Sequence, residues 1–271
     1  MTTRYVVVPQ WQGSASDRAM SLADGAEAIA GDLPAGATIR IDVPLEAGDT
    51  EGTGVLRHSS LRLVRERFAR AMEGSDEPVA VIGGDASVAY PAIARASALW
   101  PDLVVLWCDA HPGALDVATS DTGAFSGMTA RALVEDGVIA PDRLVLVGTR
   151  AWTGAERGWV DENGVGVVPP AEISELSEHL PPSGAIFVHV GLDVLDPAVL
   201  EAVPTLEPFG LALDALLGAI RTSLEGRTSA GSSIAGFAPR SIESAADDLA
   251  TVLRILGALR SAPSSPSAAT E

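Results

Sequence analysis

Short runs of β-branched and other apolar residues alternate with amphipathic stretches along the whole chain. The apolar runs predict strands at Tyr5–Val8, Thr38–Val43, Val79–Ile82, Leu103–Cys108, Arg143–Val147, Gly164–Val168, Ala185–Leu192 and Ser233–Phe237. The amphipathic stretches predict helices near Ser16–Ala30, Ser59–Met72, Ala86–Leu99, Gly127–Asp136, Gly154–Asn163, Ala171–Glu178, Leu211–Leu224 and Ile242–Leu259. Several strands, most clearly Val79–Ile82, are nearly all apolar, which is typical of strands buried on both faces. The pattern therefore predicts a three-layer αβα fold of the α/β class, with helices on each side of about eight mostly parallel strands.

Residues 1–260 are expected to form one domain, because neither a change in composition nor an internal repeat divides them. The small, polar segment 261–271 predicts a disordered tail. The chain has 271 residues and a hydrophobic fraction of 47%, which is enough for a sizeable core. An intrinsically disordered protein is excluded on the same grounds.

Charge and residue usage exclude several function classes. All 18 basic residues are arginines, so chemistry that depends on a lysine Schiff base or a P-loop lysine is excluded. The net charge of −18 argues against nucleic acid and anionic membranes as partners and suits a cationic ligand. Cys108 is the single cysteine, so no disulfide forms within the chain. No apolar run approaches the ~18 to 20 residues of a membrane span, and the N-terminal segment lacks signal-peptide features, which together predict a cytoplasmic location.

Polar residues follow three of the predicted strands, at the edge where parallel sheets gather functional groups. The first segment, Gly83-Gly84-Asp85-Ala86-Ser87, is interpreted as a turn in which Asp85 or Ser87 caps the next helix. In the second, Asp109 and His111 lie two residues apart, which would point both side chains to one face of an extended segment. That pair is a common start to a Zn²⁺ or Mn²⁺ site, although an Asp that caps and a His that bonds to it would look the same.

The third segment follows the longest predicted strand. His189, Gly191 and Asp193 share one face of it, and a carboxylate at such a position is costly unless it is paired or bound to a cation. Asp196 precedes a proline and is interpreted as the turn that ends the segment. Asp109, His111 and Asp193 could therefore supply three ligands to one divalent metal, Mn²⁺ or Zn²⁺, as is usual in a catalytic site.

These segments, in this order, resemble the signatures of the ureohydrolase family (arginase, agmatinase and formiminoglutamase). The family writes them as Gly-Gly-Asp-His-Ser, Asp-Ala-His-x-Asp and Ser-x-Asp-x-Asp-x-x-Asp-Pro. This chain has Gly-Gly-Asp-Ala-Ser, Asp-Ala-His-Pro-Gly and His-Val-Gly-Leu-Asp-Val-Leu-Asp-Pro. Two weaker echoes are Ser126-Gly-Met128, which resembles an active-site His-Gly-Met, and Gly148-Thr-Arg150 followed by Glu156, which resembles an agmatinase segment. The resemblance covers nearly the whole ordered chain. It implies an arginase-like fold, a trimer or hexamer, a small and cationic substrate, and a substrate-binding role for Glu156.

The resemblance also implies two Mn²⁺ ions held by two histidines and four aspartates, and this chain departs from that set. Asp109, His111 and Asp193 match family ligands. The positions of the remaining ligands are Ala86, Gly113 and Gly191, so nearly every ligand of one metal is absent. In addition, Ser126 replaces the family's loop histidine, and Gly236 falls where an acid holds the guanidinium. The retained set also resembles the single-zinc site of histone and polyamine deacetylases, which are similar in fold.

Two main functions stay open from the sequence, and non-hydrolytic chemistry in a biosynthetic pathway is a third that it does not exclude. The first is a hydrolase of a C–N bond in an amidine, guanidine or amide that uses one metal rather than two, without ordinary arginase or agmatinase activity. His189 and Asp116 are its weak catalytic candidates, although His189 is better explained as a satisfied core histidine. The second is an inactive ureohydrolase-fold protein, with little or no metal, that binds a ligand or assembles with partners. A two-metal site rebuilt from Asp116 or Asp121 is a further possibility.

Overall fold

The computed structural model describes residues 4–260, apart from the side chains of residues 242–244 and 247. Its strands are β1 (Arg4–Val8), β2 (Thr38–Arg40), β3 (Val79–Gly83), β4 (Val104–Cys108), β5 (Leu144–Val147), β6 (Gly166–Val168), β7 (Ile186–Gly191) and β8 (Ser229–Ala235). Its helices are α1 (Ala19–Ala30), α2 (His58–Ala71), α3 (Ala89–Leu99), α4 (Thr129–Glu135), α5 (Gly154–Asn163), α6 (Leu176–His179), α7 (Leu213–Leu224) and α8 (Ile242–Arg260). Every predicted element is present, with shifts at many of the ends. The tail prediction for 261–271 lies outside the described residues.

The eight strands of this part of the chain form one parallel sheet in the order β2-β1-β3-β8-β7-β4-β5-β6. Strands β3, β4, β5 and β7 are buried along their whole length. This explains why their sequences are apolar runs rather than alternating ones, interrupted only by His189 in β7. The predicted αβα fold is therefore confirmed.

Two hydrophobic clusters lie on opposite faces of the sheet. One packs against α1, α6, α7 and α8 through Ile29, Leu176, Leu216 and Val252. The other packs against α2 to α5 and includes Phe68, Ile93, Leu133 and Trp159. No helix among residues 4–260 is long and apolar enough to span a membrane. One sheet unites the described strands, and the single-domain expectation for 1–260 stays a prediction.

Strand β8 departs most from its prediction. It runs from Ser229 to Ala235 rather than from Ser233 to Phe237. Its first half is Ser-Ala-Gly-Ser, residues that have little strand propensity by themselves. The neighbours require such small residues, because a Cβ at Gly231 would lie 2.9 Å from the carbonyl oxygen of Val79. Tertiary packing in the centre of the sheet, rather than local propensity, sets this strand.

Candidate metal centre

The adjacent strands β4 and β7 carry the candidate metal ligands at their carboxyl ends. Cys108 pairs with Val190, so Asp109, which follows β4, lies beside Gly191 at the end of β7. The sequence analysis placed Asp193 on the same strand face as His189 and Gly191. In the structure it lies beyond the strand, in a one-turn 3-10 helix, Leu192–Val194. The turn after β7 and the loop after β4 bring the side chains of Asp193 and His111 together at this edge of the sheet.

The three predicted ligands form one cluster. One ligand atom from each of Asp109, His111 and Asp193 lies within 4.8 Å of the others. The Nδ1 atom of His111 is 2.9 Å from Oδ2 of Asp193 and 3.7 Å from Oδ1 of Asp109. Backbone amides fix both carboxylates, because Asp109 Oδ1 accepts from His111 N at 2.7 Å and Asp193 Oδ1 accepts from Ala110 N at 3.3 Å. One imidazole and two carboxylates in this arrangement fit Mn²⁺ or Zn²⁺.

The electrostatics of the cluster favour a cation. Burial would raise the pKa of Asp109, but His111 and His189 beside it hold that pKa well below its ordinary value. Burial would lower the pKa of His111, but Asp109 and Asp193 raise it to about 11. Burial and the charge of Asp109 raise the pKa of Asp193. Without a metal, the two carboxylates therefore favour the protonated form of the His111 ring.

Glu207 is a member of this environment that the sequence did not indicate. Its Oε1 lies 3.5 Å from Nε2 of His111, on the side of the ring opposite Asp193. A carboxylate on the second nitrogen of a ligand histidine orients the ring and makes it more basic. Glu207 comes from the loop before Leu211, nearly a hundred residues from His111, and no local pattern marks it.

Arg150 holds the ligand-bearing segments together. Its guanidinium donates to the carbonyl oxygens of Asp193 and Glu207, both at 2.7 Å, and to that of Pro208 at 2.9 Å. Its backbone N donates to Ala110 O at 2.9 Å. The agmatinase-like segment drew attention to Arg150 in the sequence, but this role depends on chain folding and has no sequence signal.

The three positions that lack a family ligand each have a different local environment in this structure. A Cβ on Gly191 would lie 2.1 Å from Oδ2 of Asp109, so the Asp109 carboxylate occupies the space that a side chain at 191 would need. Gly113 has a φ of +64°, a conformation that glycine adopts without strain. Ala86 contributes only a methyl group to the cavity wall.

Asp85 has a structural role, as the sequence suggested. Its carboxylate accepts from the backbone N of Ser87 and of Gly13, both at 2.9 Å, and from the side chain of Gln10. Burial raises its pKa, although these hydrogen bonds oppose the shift. Asp85 thus fixes the segment around Gly13 over the carboxyl end of β3.

A cavity of about 660 Å³ opens above the cluster. Its acidic lining residues are Asp17, Asp85, Asp109, Glu156 and Asp193. No arginine is among the described residues that line it. The cavity therefore suits a small cation. Ser126, at the position of the family's loop histidine, and Gly236, at that of its guanidinium-binding acid, also line it, so both positions face the cavity without carrying those groups.

Of the weak catalytic candidates, neither contacts the cavity in the described structure. His189 is 0% exposed and lies beneath the cluster. Asp116 binds Arg131 and accepts hydrogen bonds from Thr119 and from Ala118 N, which makes it a loop-stabilising residue. Its neighbour Asp121 likewise lies outside the cavity lining, which gives no support to a second site rebuilt from this loop.

Glu156 lines the cavity but has a structural role as well. It forms a capping box with Thr153: Glu156 N donates to Thr153 Oγ1 at 3.2 Å, and Glu156 Oε2 accepts from Thr153 N at 2.9 Å. The same Oε2 also accepts from Thr153 Oγ1 at 2.9 Å. The substrate-binding role predicted for Glu156 stays a prediction, and only Oε1 is free of these contacts.

Comparison with known proteins identifies the relatives. A model of the arginase family matches residues 24–255. The N(omega)-hydroxy-L-arginine amidinohydrolase of Streptomyces lavendulae is 28% identical over 255 residues, which cover 89% of this chain and 92% of that protein. Agmatinase of Bacillus cereus is 28% identical over 182 residues, 66% of this chain and 59% of that protein. The structure of Entamoeba histolytica arginase in complex with L-ornithine superposes with a TM-score of 0.82 at 18% identity, over 95% of this chain and 97% of that one. With the family model spanning most of the sequence, this chain belongs to the arginase (ureohydrolase) family.

Proposed function

We propose that this protein is a metal-dependent hydrolase of a C–N bond in an amidine, guanidine or amide, and that it uses one divalent metal, Mn²⁺ or Zn²⁺. Membership of the arginase family gives the general class, a hydrolase of amidino or guanidino C–N bonds. The observation that carries the one-metal proposal is the cluster of Asp109, His111 and Asp193 at the floor of an acidic cavity. These three residues would hold the metal.

One metal rather than two is supported by what surrounds Asp109. Ala86, Gly113 and Gly191 offer no ligand atoms from their side chains. At Gly191 a ligand would also displace the Asp109 carboxylate. Among the described residues, the group of three ligand atoms suited to a metal is that of Asp109, His111 and Asp193, which supports one ion.

The cavity supports a small cationic substrate. Asp17 and Glu156 contribute negative charge to its walls, and Trp152 contributes flat apolar surface. An amidinium or guanidinium group is a planar cation that both kinds of surface accommodate. Two of the relatives, an N(omega)-hydroxy-L-arginine amidinohydrolase and an agmatinase, are named for substrates of this kind.

The metal and the surrounding residues would have separate roles in hydrolysis. When bound, a divalent metal would acidify a water molecule and polarise the substrate. His111 must lose its extra proton before it can serve as a ligand, and Glu207 then holds the ring in place. Because His189 is buried, it does not reach the leaving amine, and water in the open cavity would supply the proton that the amine needs.

Metal content and hydrolysis test the proposal together. Protein purified without chelator and then offered Mn²⁺ or Zn²⁺ is expected to bind one equivalent per chain. His111→Ala should abolish binding, whereas His179→Ala, which alters a histidine at the end of α6, should leave it unchanged. The metal-loaded protein is then screened for hydrolysis of arginine, agmatine, guanidinobutyrate, other amidines and acylated amines. Two equivalents of metal, with hydrolysis of arginine or agmatine at rates matching the family, would refute the one-metal proposal.

A binding protein without catalysis is the second candidate, and one observation favours it. The ligand positions of one metal and the loop-histidine position together carry Ala86, Gly113, Gly191 and Ser126. The loss of a second metal and of a proton carrier would remove several kcal/mol of transition-state stabilisation. A metal content near zero, with agmatine still raising the thermal stability of the protein, would support this candidate.

Three further predictions complete the proposal. The protein is expected to be cytoplasmic, to form one domain over 1–260, and to assemble as a homotrimer or homohexamer. The last of these rests on the family resemblance. Size-exclusion chromatography with light scattering would test it.

A further inference from the structure

His189 is a histidine whose second ring nitrogen lacks a partner. The residue is 0% exposed, and its ring stacks on Trp107 with 3.9 Å between centroids. Its Nδ1 lies 2.8 Å from Oγ of Ser233 on the neighbouring strand β8. Its Nε2 makes no hydrogen bond within the part of the chain that the structure describes. A buried polar atom in that state is costly, so a role for it is expected.

The nearest charged group to this nitrogen is a proposed metal ligand. Nε2 lies 3.8 Å from Oδ2 of Asp109, slightly beyond hydrogen-bond distance. It is the same oxygen that occupies the space beside Gly191. His111 N holds the other oxygen, Oδ1. The two oxygens of Asp109 therefore face two different environments, and His189 defines one of them.

The tautomer of His189 follows from its two neighbours. A lone pair on Nε2 would face a carboxylate oxygen in a buried place, which is repulsive. A proton on Nε2 faces it favourably, and the Ser233 hydroxyl can then donate to Nδ1, because a hydroxyl rotates to suit its partner. Ser233 is itself 0% exposed, so water does not compete for this contact.

We propose that His189 is a positioning residue whose Nε2–H faces Oδ2 of Asp109 and fixes that carboxylate for a single metal, on the side where Gly191 leaves no second-metal ligand. The inference rests on the proposed one-metal site for its consequence, because the fixed carboxylate serves that metal. The Nε2–H edge of the His189 ring gives Oδ2 of Asp109 a positive electrostatic potential. In a two-metal site, the second cation would provide that potential. His189 acts through Asp109 and does not contact substrate.

The first experiment needs no metal. The ¹⁵N NMR spectrum of the imidazole rings in the metal-free, full-length protein reports which nitrogen of His189 carries a proton. A proton on Nε2, in exchange slow enough for its signal to be observed and shifted by Asp109→Asn, is expected. A neutral ring protonated on Nδ1, or a signal unaffected by Asp109→Asn, overturns the inference.

The second experiment compares two matched amide substitutions by Co²⁺ titration. In His189→Gln the side-chain amide reaches the Nε2 position and still offers an N–H to Asp109, whereas in His189→Asn the amide lies near the Nδ1 position and bonds only to Ser233. Both variants lose the stacking on Trp107, so the metal-free proteins should lose thermal stability to a similar extent. We expect His189→Asn to weaken Co²⁺ binding about 10- to 100-fold and to alter its visible absorption spectrum, with His189→Gln close to wild type.

The two proposals fail in different ways. If wild-type protein binds no Co²⁺, the proposed function fails, and the NMR experiment alone decides the position of the His189 proton. If wild type binds Co²⁺ and both variants bind it with equal affinity, the positioning role is wrong while the metal site stands. Equal losses that follow the stability of the metal-free proteins would make His189 a packing residue only.

Discussion

Metal binding to the Asp109–His111–Asp193 cluster is expected to depend steeply on pH. The two carboxylates raise the pKa of His111 to about 11, so the metal-free ring carries a proton throughout the neutral range. A ligand imidazole must be neutral, so each metal ion displaces that proton. The sign follows directly: lower pH favours the protonated ring and weakens binding. The apparent association constant should rise about tenfold per pH unit, with about one proton released per metal.

Calorimetry measures both quantities. Titration of Mn²⁺ at pH 6.5, 7.5 and 8.5, in pairs of buffers with different ionisation enthalpies, gives the affinity and the number of protons released. The slope requires only that the pKa of His111 lies above the measured range, so it does not depend on its magnitude. His179→Ala should behave as wild type. His111→Gln, which has no ring proton to lose, should bind weakly and release none.

Affinity that is independent of pH between 6.5 and 8.5, with no proton released, would refute this reasoning. It would mean that the His111 ring is already neutral between Asp109 and Asp193, and that the negative charge of the cluster is smaller than the geometry indicates. Release of two protons would point instead to protonation of both His111 and Asp193 in the metal-free state.

Four substitutions, one of them with a matched control, test the surroundings of the cluster. Gly191→Ala places a methyl group against the Asp109 carboxylate and should weaken metal binding at least tenfold; Gly218→Ala, with no atom within 4 Å of the added Cβ, should instead raise the unfolding free energy by about 0.5 to 1 kcal/mol. Arg150→Lys should lower the unfolding free energy by about 2 kcal/mol and increase hydrogen exchange in residues 204–210, and unchanged exchange would contradict its clamping role. Thr153→Ala should cost about 1 kcal/mol in chemical denaturation by removing a cap. A higher KM in Glu156→Gln at unchanged stability would support substrate binding by that residue, and an unchanged KM would leave it a capping residue.

The fold could be predicted from the sequence because strands that are buried on both faces consist mostly of apolar residues. Strand β3 (Val79–Gly83) is an apolar run between polar segments, and the prediction missed its extent by one residue. Strand β8 lacks such an apolar run over most of its length, because its position between β3 and β7 requires small residues such as Gly231 and Ser233. The sequence therefore located β8 by its apolar second half, Ile234-Ala235, and placed it too late in the chain.

Only part of the site could be predicted from the sequence, for a different physical reason. Asp109 and His111 are near neighbours in sequence, and Asp193 follows the strand that pairs with theirs, so sheet topology alone predicts their approach. Glu207 and Arg150 act through loops whose path is set by tertiary hydrogen bonds, which leave no periodic pattern. Glu207 is 96 residues from His111 along the chain.

The departures from the two-metal pattern around β7 depend on one another. If Gly191 had only lost a ligand, it would leave a hole beside a buried carboxylate, and an uncompensated buried charge is strongly destabilising. Instead, Oδ2 of Asp109 occupies that space, and the next residue on the same face of the strand, His189, faces the oxygen with a nitrogen. Ser233 on β8 supplies the contact that the other ring nitrogen needs. Gly191, His189 and Ser233 thus form one connected arrangement around Asp109, and this arrangement is what the proposed one-metal site would use.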